Sequence, residues 1–111
     1  MYSKELIRGT LKPIILKLLA EHGKMYGYEI CQKVKELTDH EILIKEGSLY
    51  PALYKLKAEG LVEVEAIEVD HRVRQYYSLA NKGKSIAVEE IKEFSLFLGT
   101  MGKLFKVNPA S

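Results

Sequence analysis

The sequence predicts a mainly α-helical chain with one small β-hairpin, followed by a single long trailing helix. Three observations carry this. Residues 46–59 place Leu49, Ala52, Leu53 and Leu56 at helical spacing before a stop at Gly60. Leu61 to Ile67 and Arg74 to Leu79 alternate like half-buried strands on either side of a tip, Asp70-His71-Arg72-Val73-Arg74. Ala87, Ile91, Phe94, Leu98, Met101 and Phe105 recur at steps of 4, 3, 4, 3 and 4, which is a heptad seam. A helix able to enter a groove, followed by a hairpin with arginines at its tip, is the outline of a winged helix-turn-helix. The expected division is residues 1–80 for that unit, 81–107 for a C-terminal dimerisation helix and 108–111, Asn-Pro-Ala-Ser, for a frayed tail.

The first helix follows from Leu11, Ile14, Ile15, Leu18 and Leu19, an i, i+3, i+4, i+7, i+8 stripe. Two starts fit it. Thr10 or a neighbour caps it and leaves Pro13 in the first turn, where N–H groups are unpaired anyway; or Ser3 starts an earlier helix that bends near Gly9 and Pro13. Gly23 ends it. Tyr26-Gly27-Tyr28 opens a second helix, with Ile30, Val34 and Leu37 expected to face the core. In the connection from 38 to 45, Ile42-Leu43-Ile44 is a candidate third strand for the wing. On the last helix, Val88, Phe97 and Leu104 add a second apolar line beside the heptad seam. Burying such a side chain is worth roughly 1.5–3 kcal/mol, so a face this broad needs a partner, most simply the same helix of a second copy.

Composition narrows the function classes. The 111 residues suit one domain, with 47% apolar and 29% charged side chains as in ordinary soluble chains. No apolar run approaches the roughly 18 residues that span a bilayer, and Met1-Tyr-Ser-Lys-Glu5 has no signal-peptide apolar region. A cytoplasmic protein without a membrane partner is therefore expected. The single cysteine, Cys31, excludes an internal disulfide and fits a reducing compartment. A net charge of +2 says little by itself. Residues 1–24 carry five basic and two acidic side chains, whereas residues 61–80 set Arg72 and Arg74 against Glu63, Glu65, Glu68 and Asp70. Only the far end of the wing is basic.

Ser48, Tyr50, Pro51, Tyr54 and Lys55 lie opposite the leucine stripe of the 46–59 helix. They are poor core material, but their hydroxyls and ammonium suit phosphates and base edges. Arg72 and Arg74, two apart on an extended segment, point the same way and suit a phosphate or minor-groove contact; the alternative is a solvated strand tip. Tyr26 and Tyr28 begin a helix, an anion-favouring position, although Tyr28 equally fits the core and Tyr50 equally fits packing on the first helix. His22, His40 and His71 are scattered and Cys31 has no ligand-spaced neighbour, so neither metal nor cofactor is expected. No phosphate loop, nucleophile elbow or triad-like grouping points to an enzyme.

These pieces together resemble the phenolic-acid-responsive repressor (PadR) family of bacterial transcription regulators, in its short form with one C-terminal helix. The resemblance rests on Gly9-Thr-Leu with Ile15-Leu-Lys-Leu-Leu19, Met25-Tyr-Gly-Tyr-Glu-Ile30 and Glu46-Gly-Ser-Leu-Tyr-Pro-Ala-Leu53. It continues through Leu56 with Glu59-Gly-Leu-Val62 and Arg74-Gln-Tyr-Tyr-Ser-Leu79 with Lys82-Gly83, so that it covers about two-thirds of the chain. The family often has glycine at the wing tip, where this chain has Val69-Asp-His-Arg-Val73, and a threonine cap where this chain has Ala80, so Asn81 is expected to cap the last helix. The chain also lacks the tryptophan on which one drug-sensing branch stacks planar ligands.

The resemblance implies a homodimeric repressor that binds a pseudo-palindromic operator in double-stranded DNA. Tyr26, Tyr28, Lys45, Ser48, Tyr50, Pro51, Tyr54, Lys55, Arg72 and Arg74 would face DNA. Ala87, Ile91, Phe94, Leu98, Met101 and Phe105 would form the dimer seam. It also implies a small aromatic or apolar effector between protomers, held by Phe94, Phe97 and Phe105, although aromatics at heptad spacing equally fit plain interface core. The alternatives of another class are a winged-helix protein-interaction module and a small-molecule binder without a primary DNA role. Salt-dependent affinity for duplex DNA separates them from a DNA regulator, because counterion release marks phosphate contact.

Overall fold

The computed structural model describes residues 2–107; the expected tail at 108–111 lies outside them. The order is α1 (Lys4–His22), β1 (Met25–Tyr26), α2 (Gly27–Leu37), α3 (Glu46–Ala58), β2 (Val62–Val69), β3 (Arg72–Leu79) and α4 (Asn81–Phe105). The strands form one antiparallel sheet in the order β1-β3-β2. This is the winged helix-turn-helix arrangement with a C-terminal helix.

Of the two possible starts for α1, the earlier is the one adopted. The Ser3 hydroxyl accepts the Leu6 N–H at 3.2 Å, and the helix runs on through Pro13. Proline leaves one carbonyl of the preceding turn without its helical donor. Just before it, the Thr10 hydroxyl donates to the Ile7 carbonyl at 2.9 Å. Gly23, with φ of +80°, closes the helix as expected. Leu11, Ile15, Leu18 and Leu19 are buried together with Leu16, which lies outside the five-residue stripe, while Ile14 is only half-buried.

α3 ends in paired backbone bonds from Gly60 N–H to the Lys57 carbonyl and from Leu61 N–H to the Leu56 carbonyl, with Gly60 at φ +77°. That geometry needs a residue free of a Cβ penalty, so glycine sits there. The hairpin is longer than the alternation suggests. Its register runs from Val62 opposite Leu79 to Val69 opposite Arg72, so only Asp70 and His71 make the turn. Both have positive φ, 51° and 65°, as a two-residue type I′ turn requires. Aspartate tolerates that region better than most residues, so glycine is dispensable here.

Three expectations are corrected. The third strand is not Ile42-Leu43-Ile44 but Met25–Tyr26, paired with Tyr77 and Tyr76. Ile44 is instead a plug, 6% exposed, that holds the 38–45 connection in the core. The Thr38 hydroxyl steadies that connection by donating to the Val34 carbonyl at 2.8 Å and accepting the Ile42 N–H at 3.0 Å. Leu37 does not face the core; it is 65% exposed, at the last residue of α2. Asn81 does not cap α4: Ala80 holds the cap position without a side-chain bond, and its N–H donates to the Leu61 carbonyl at 3.0 Å.

α4 runs antiparallel along α1, tied by Lys12 to Glu90 at 3.2 Å. Ala87 is 1% exposed and belongs to the core shared by α1, α2, α3 and the sheet, while Ile86 and Ile91 pack against that core. The first turns of the heptad seam are thus consumed within the protomer, which removes Ala87 from the dimer surface. The physical reason is that α4 packs along α1, which brings Leu11, Ile15, Leu16 and Leu19 to the same core as Ala87.

Candidate nucleic-acid interface

α3 is a two-faced helix. Leu49, Leu53 and Leu56 are buried against α1 and α2, so the opposite face has no choice but solvent. Tyr54 stands there 74% exposed, with no hydrogen bond or aromatic partner among the described residues. Pro51 and Lys55 are exposed beside it and Ser48 is half-buried. Ser48, Pro51 and Lys55 line a groove between α3 and α1, whose other wall includes Arg8 and Lys12. A neighbouring depression joins Lys45 and Ser48 to Lys4 and Arg8. Lys4 and Arg8 are cations beside this face that no motif in the sequence singles out. The excess of basic over acidic side chains in the first 24 residues was the available signal. Lys12 is the weaker cation of the set, since Glu90 shares its charge.

Tyr50 takes an intermediate place. It is partly exposed, and its ring leans on the start of α2. A Cβ added at Gly27 would lie 2.6 Å from the Tyr50 hydroxyl. Gly27 is therefore the gap into which the phenol fits. Burial, then the Glu46 carboxylate and the nearby Tyr77 and Cys31, push the Tyr50 phenol above its ordinary value, and burial does the same to Tyr77. The neutral phenols are favoured by the fold. Stability from both is complete below the unfolded tyrosine value of about 10 and is lost as pH rises through the raised folded values. In an alkaline absorbance titration of the folded chain, Tyr50→Phe should therefore remove one phenol that ionises above the ordinary tyrosine value.

The wing brings a second group together. Arg72 and Arg74 lie on the outer face of β3, and Arg72 is exposed without an ion pair among the described residues. Arg74 is half-buried, its guanidinium carbon 4.4 Å from the centre of the Tyr26 ring. Such a cation–π contact is worth about 0.5–1 kcal/mol near a surface. Tyr26 meets Tyr76 edge-on at 5.3 Å and lies parallel to Tyr28 at 6.4 Å. Tyr28 is an exposed residue, not a core one. Glu29 closes the start of α2 by accepting the Tyr26 N–H at 3.0 Å. The carboxylate of Glu65 is not left to oppose a phosphate, because Lys24 neutralises it across the sheet.

On α4 the surface changes character. Phe97, Leu98, Leu104 and Phe105 are exposed, with Phe94 and Met101 half-buried. Phe94 and Phe97 touch, with ring centres 6.3 Å apart, and line a groove with Gly9, Lys12, Pro13, Glu90 and Glu93. Phe105 does not join them. Eight residues of helix, about 12 Å, separate it from Phe97, so the three phenylalanines form no single cavity within one protomer. Among the described residues no helix is long and apolar enough to cross a membrane.

A groove-sized helix with an uncommitted polar face, next to a hairpin with an arginine tip, defines the class: a winged helix-turn-helix DNA-binding protein. A profile described as the transcriptional regulator PadR-like family matches residues 15–89. The chain is 31% identical over 87 residues to the transcriptional regulator Rv3488 of Mycobacterium tuberculosis, covering 78% of each chain. Among solved structures it is similar to a transcriptional regulator from Clostridium thermocellum, with 33% identity, TM-score 0.78 and 93% and 97% of the two chains covered. A PadR family regulator from Eggerthella lenta is also similar, at 32% identity, TM-score 0.72 and 94% and 88% coverage. The chain belongs to the PadR-like family of transcriptional regulators. Regulators of this family are DNA-binding repressors, not enzymes, and often act as dimers.

Proposed function

We propose that the chain is a cytoplasmic, homodimeric repressor in which residues 1–80 read DNA and α4 joins the two copies. The reading rests above all on the bare Tyr54 in the middle of a helix whose other face is fully buried. A large aromatic ring left in water gains nothing for the fold, whereas Tyr54 with Lys55, Ser48 and Pro51 suits a major-groove edge. Lys45, Tyr50 and the first residues of α2, Tyr26 and Tyr28, would border the same surface, and Arg72 would reach the backbone from the wing. Two α3 helices held about 34–36 Å apart would meet successive turns of a pseudo-palindromic operator. A small aromatic or apolar effector wedged by Phe94 and Phe97 at the seam would alter that spacing and release DNA.

The experiment compares three neighbours on α3. Tyr54→Ala and Lys55→Ala should move stability by less than about 0.5 kcal/mol, and each should cost roughly 1–3 kcal/mol of operator affinity where it removes a base contact. Leu53→Ala leaves a core cavity worth about 2–5 kcal/mol and lowers the melting temperature instead. Melting and fluorescence anisotropy on an operator selected from genomic fragments separate the two effects. Parent-like binding by both exposed-face variants would remove α3 as the reading surface.

A further inference from the structure

The two wing arginines are chemically alike and share one face of β3, yet the structure treats them differently. Arg72 is exposed and unpaired among the described residues, while Arg74 lies over the Tyr26 ring. We infer that Arg74 is a positioning residue which clamps the wing to the start of α2, and that Arg72 alone of the pair makes the phosphate contact. This rests on the DNA-binding reading above.

The need for a clamp follows from the sheet. β1 has two residues, and it supports β3 only at Tyr76 and Tyr77. The hairpin continues five residues beyond Tyr76 to His71, about 17 Å at strand rise. On such a lever, a tilt of about 10° moves the tip by about 3 Å, the whole length of a hydrogen bond. The two pairings, with Val62 in the core and Tyr77 and Leu79 packed on it, fix the base of the hairpin but do not reach its outer half. The outer face supplies what they lack. Arg74 and Tyr76 from the hairpin both bear on Tyr26, and the Lys24–Glu65 ion pair crosses β3 to hold β2. Tyr26 is in turn fixed at the mouth of α2 by Glu29. Wing tip and helix-turn-helix therefore move as one piece while the guanidinium stays on the ring.

The two roles differ in how the salt dependence of DNA binding responds. In the dimer each substitution falls on both wings, so if both arginines touched phosphate, Arg72→Ala and Arg74→Ala would each flatten the slope of log affinity against log salt by about two units, and the double variant by about four. A clamp acting through Arg72 gives about two units in all three variants, one per protomer, because losing the clamp already withdraws Arg72. Tyr26→Leu removes no cation, yet it should also flatten the slope by about two units.

Anisotropy of a fluorescein-labelled mixed-sequence duplex, titrated at rising potassium chloride, reads these slopes directly. Should Tyr26→Leu fail to fold, the two arginine variants and their double decide alone, since both side chains lie on the outer face. A double variant that loses about four units overturns the clamp and leaves the DNA reading intact. A parent chain with no salt-dependent binding overturns the DNA reading and the clamp with it.

Discussion

Gly83→Ala is expected to destabilise the fold by about 3 kcal/mol, the upper end of what overpacking costs. The α4 backbone at Gly83 passes directly against Leu61, the buried residue that joins α3 to the wing. A Cβ there would fall 2.8 Å from the Leu61 carbonyl carbon and overlap its oxygen. That oxygen already accepts the Ala80 N–H at 3.0 Å, so it cannot swing away without breaking the bond that launches α4. A flexible side chain would yield, but two backbones cannot. Gly47→Ala is the control, because a Cβ at that α3 position meets nothing within 4 Å. It should raise stability by roughly 0.5–1 kcal/mol through helix propensity alone. Urea midpoints of both variants check the pair; equal midpoints would show that α4 can shift at no cost.

Leu98→Asp combined with Phe105→Asp should convert the dimer to a folded monomer. The two side chains are 46% and 65% exposed and contribute nothing to the protomer core, so the fold loses little. In an apolar seam the same carboxylates would be desolvated without partners, which is heavily disfavoured. Sedimentation velocity gives the oligomeric state and circular dichroism the helix content. A dimer that persists at micromolar concentration would exclude the distal half of α4 as the seam. Ile91→Asp behaves differently. Ile91 packs against the core, so its replacement should lower the melting temperature whatever the oligomeric state. The heptad pattern alone would have grouped Ile91 with Leu98.

That grouping shows where periodicity stops being informative. Ala87, Ile91, Leu98 and Phe105 obey one spacing, yet the first two are claimed by the chain's own α1 and the last two are left in solvent. A repeat reports which side of a helix is apolar, not which neighbour covers it. The same limit explains Leu37, in phase with Ile30 and Val34 but exposed at the last residue of α2. It explains Ile42-Leu43-Ile44 as well, since a three-residue apolar run suits a strand and a buried loop plug equally. Met25–Tyr26 is too short to show any alternation. It becomes a strand only because β3 offers it a backbone edge.

What was determined locally was legible. The leucine stripe of α3, the stops at Gly23 and Gly60 and the alternation of the wing strands each depend on residues a few positions apart. With them the polar α3 face followed by subtraction. Tertiary structure decided the rest: that Tyr50 fills the space over Gly27, that Arg8 shares a groove with Ser48 and Lys55, and that Arg74 rests on Tyr26 while Arg72 has no ion pair among the described residues. Each of these joins positions at least 23 residues apart in the chain. Local spacing carries no record of such a meeting, because it is set by how whole elements pack and not by the period within any one of them.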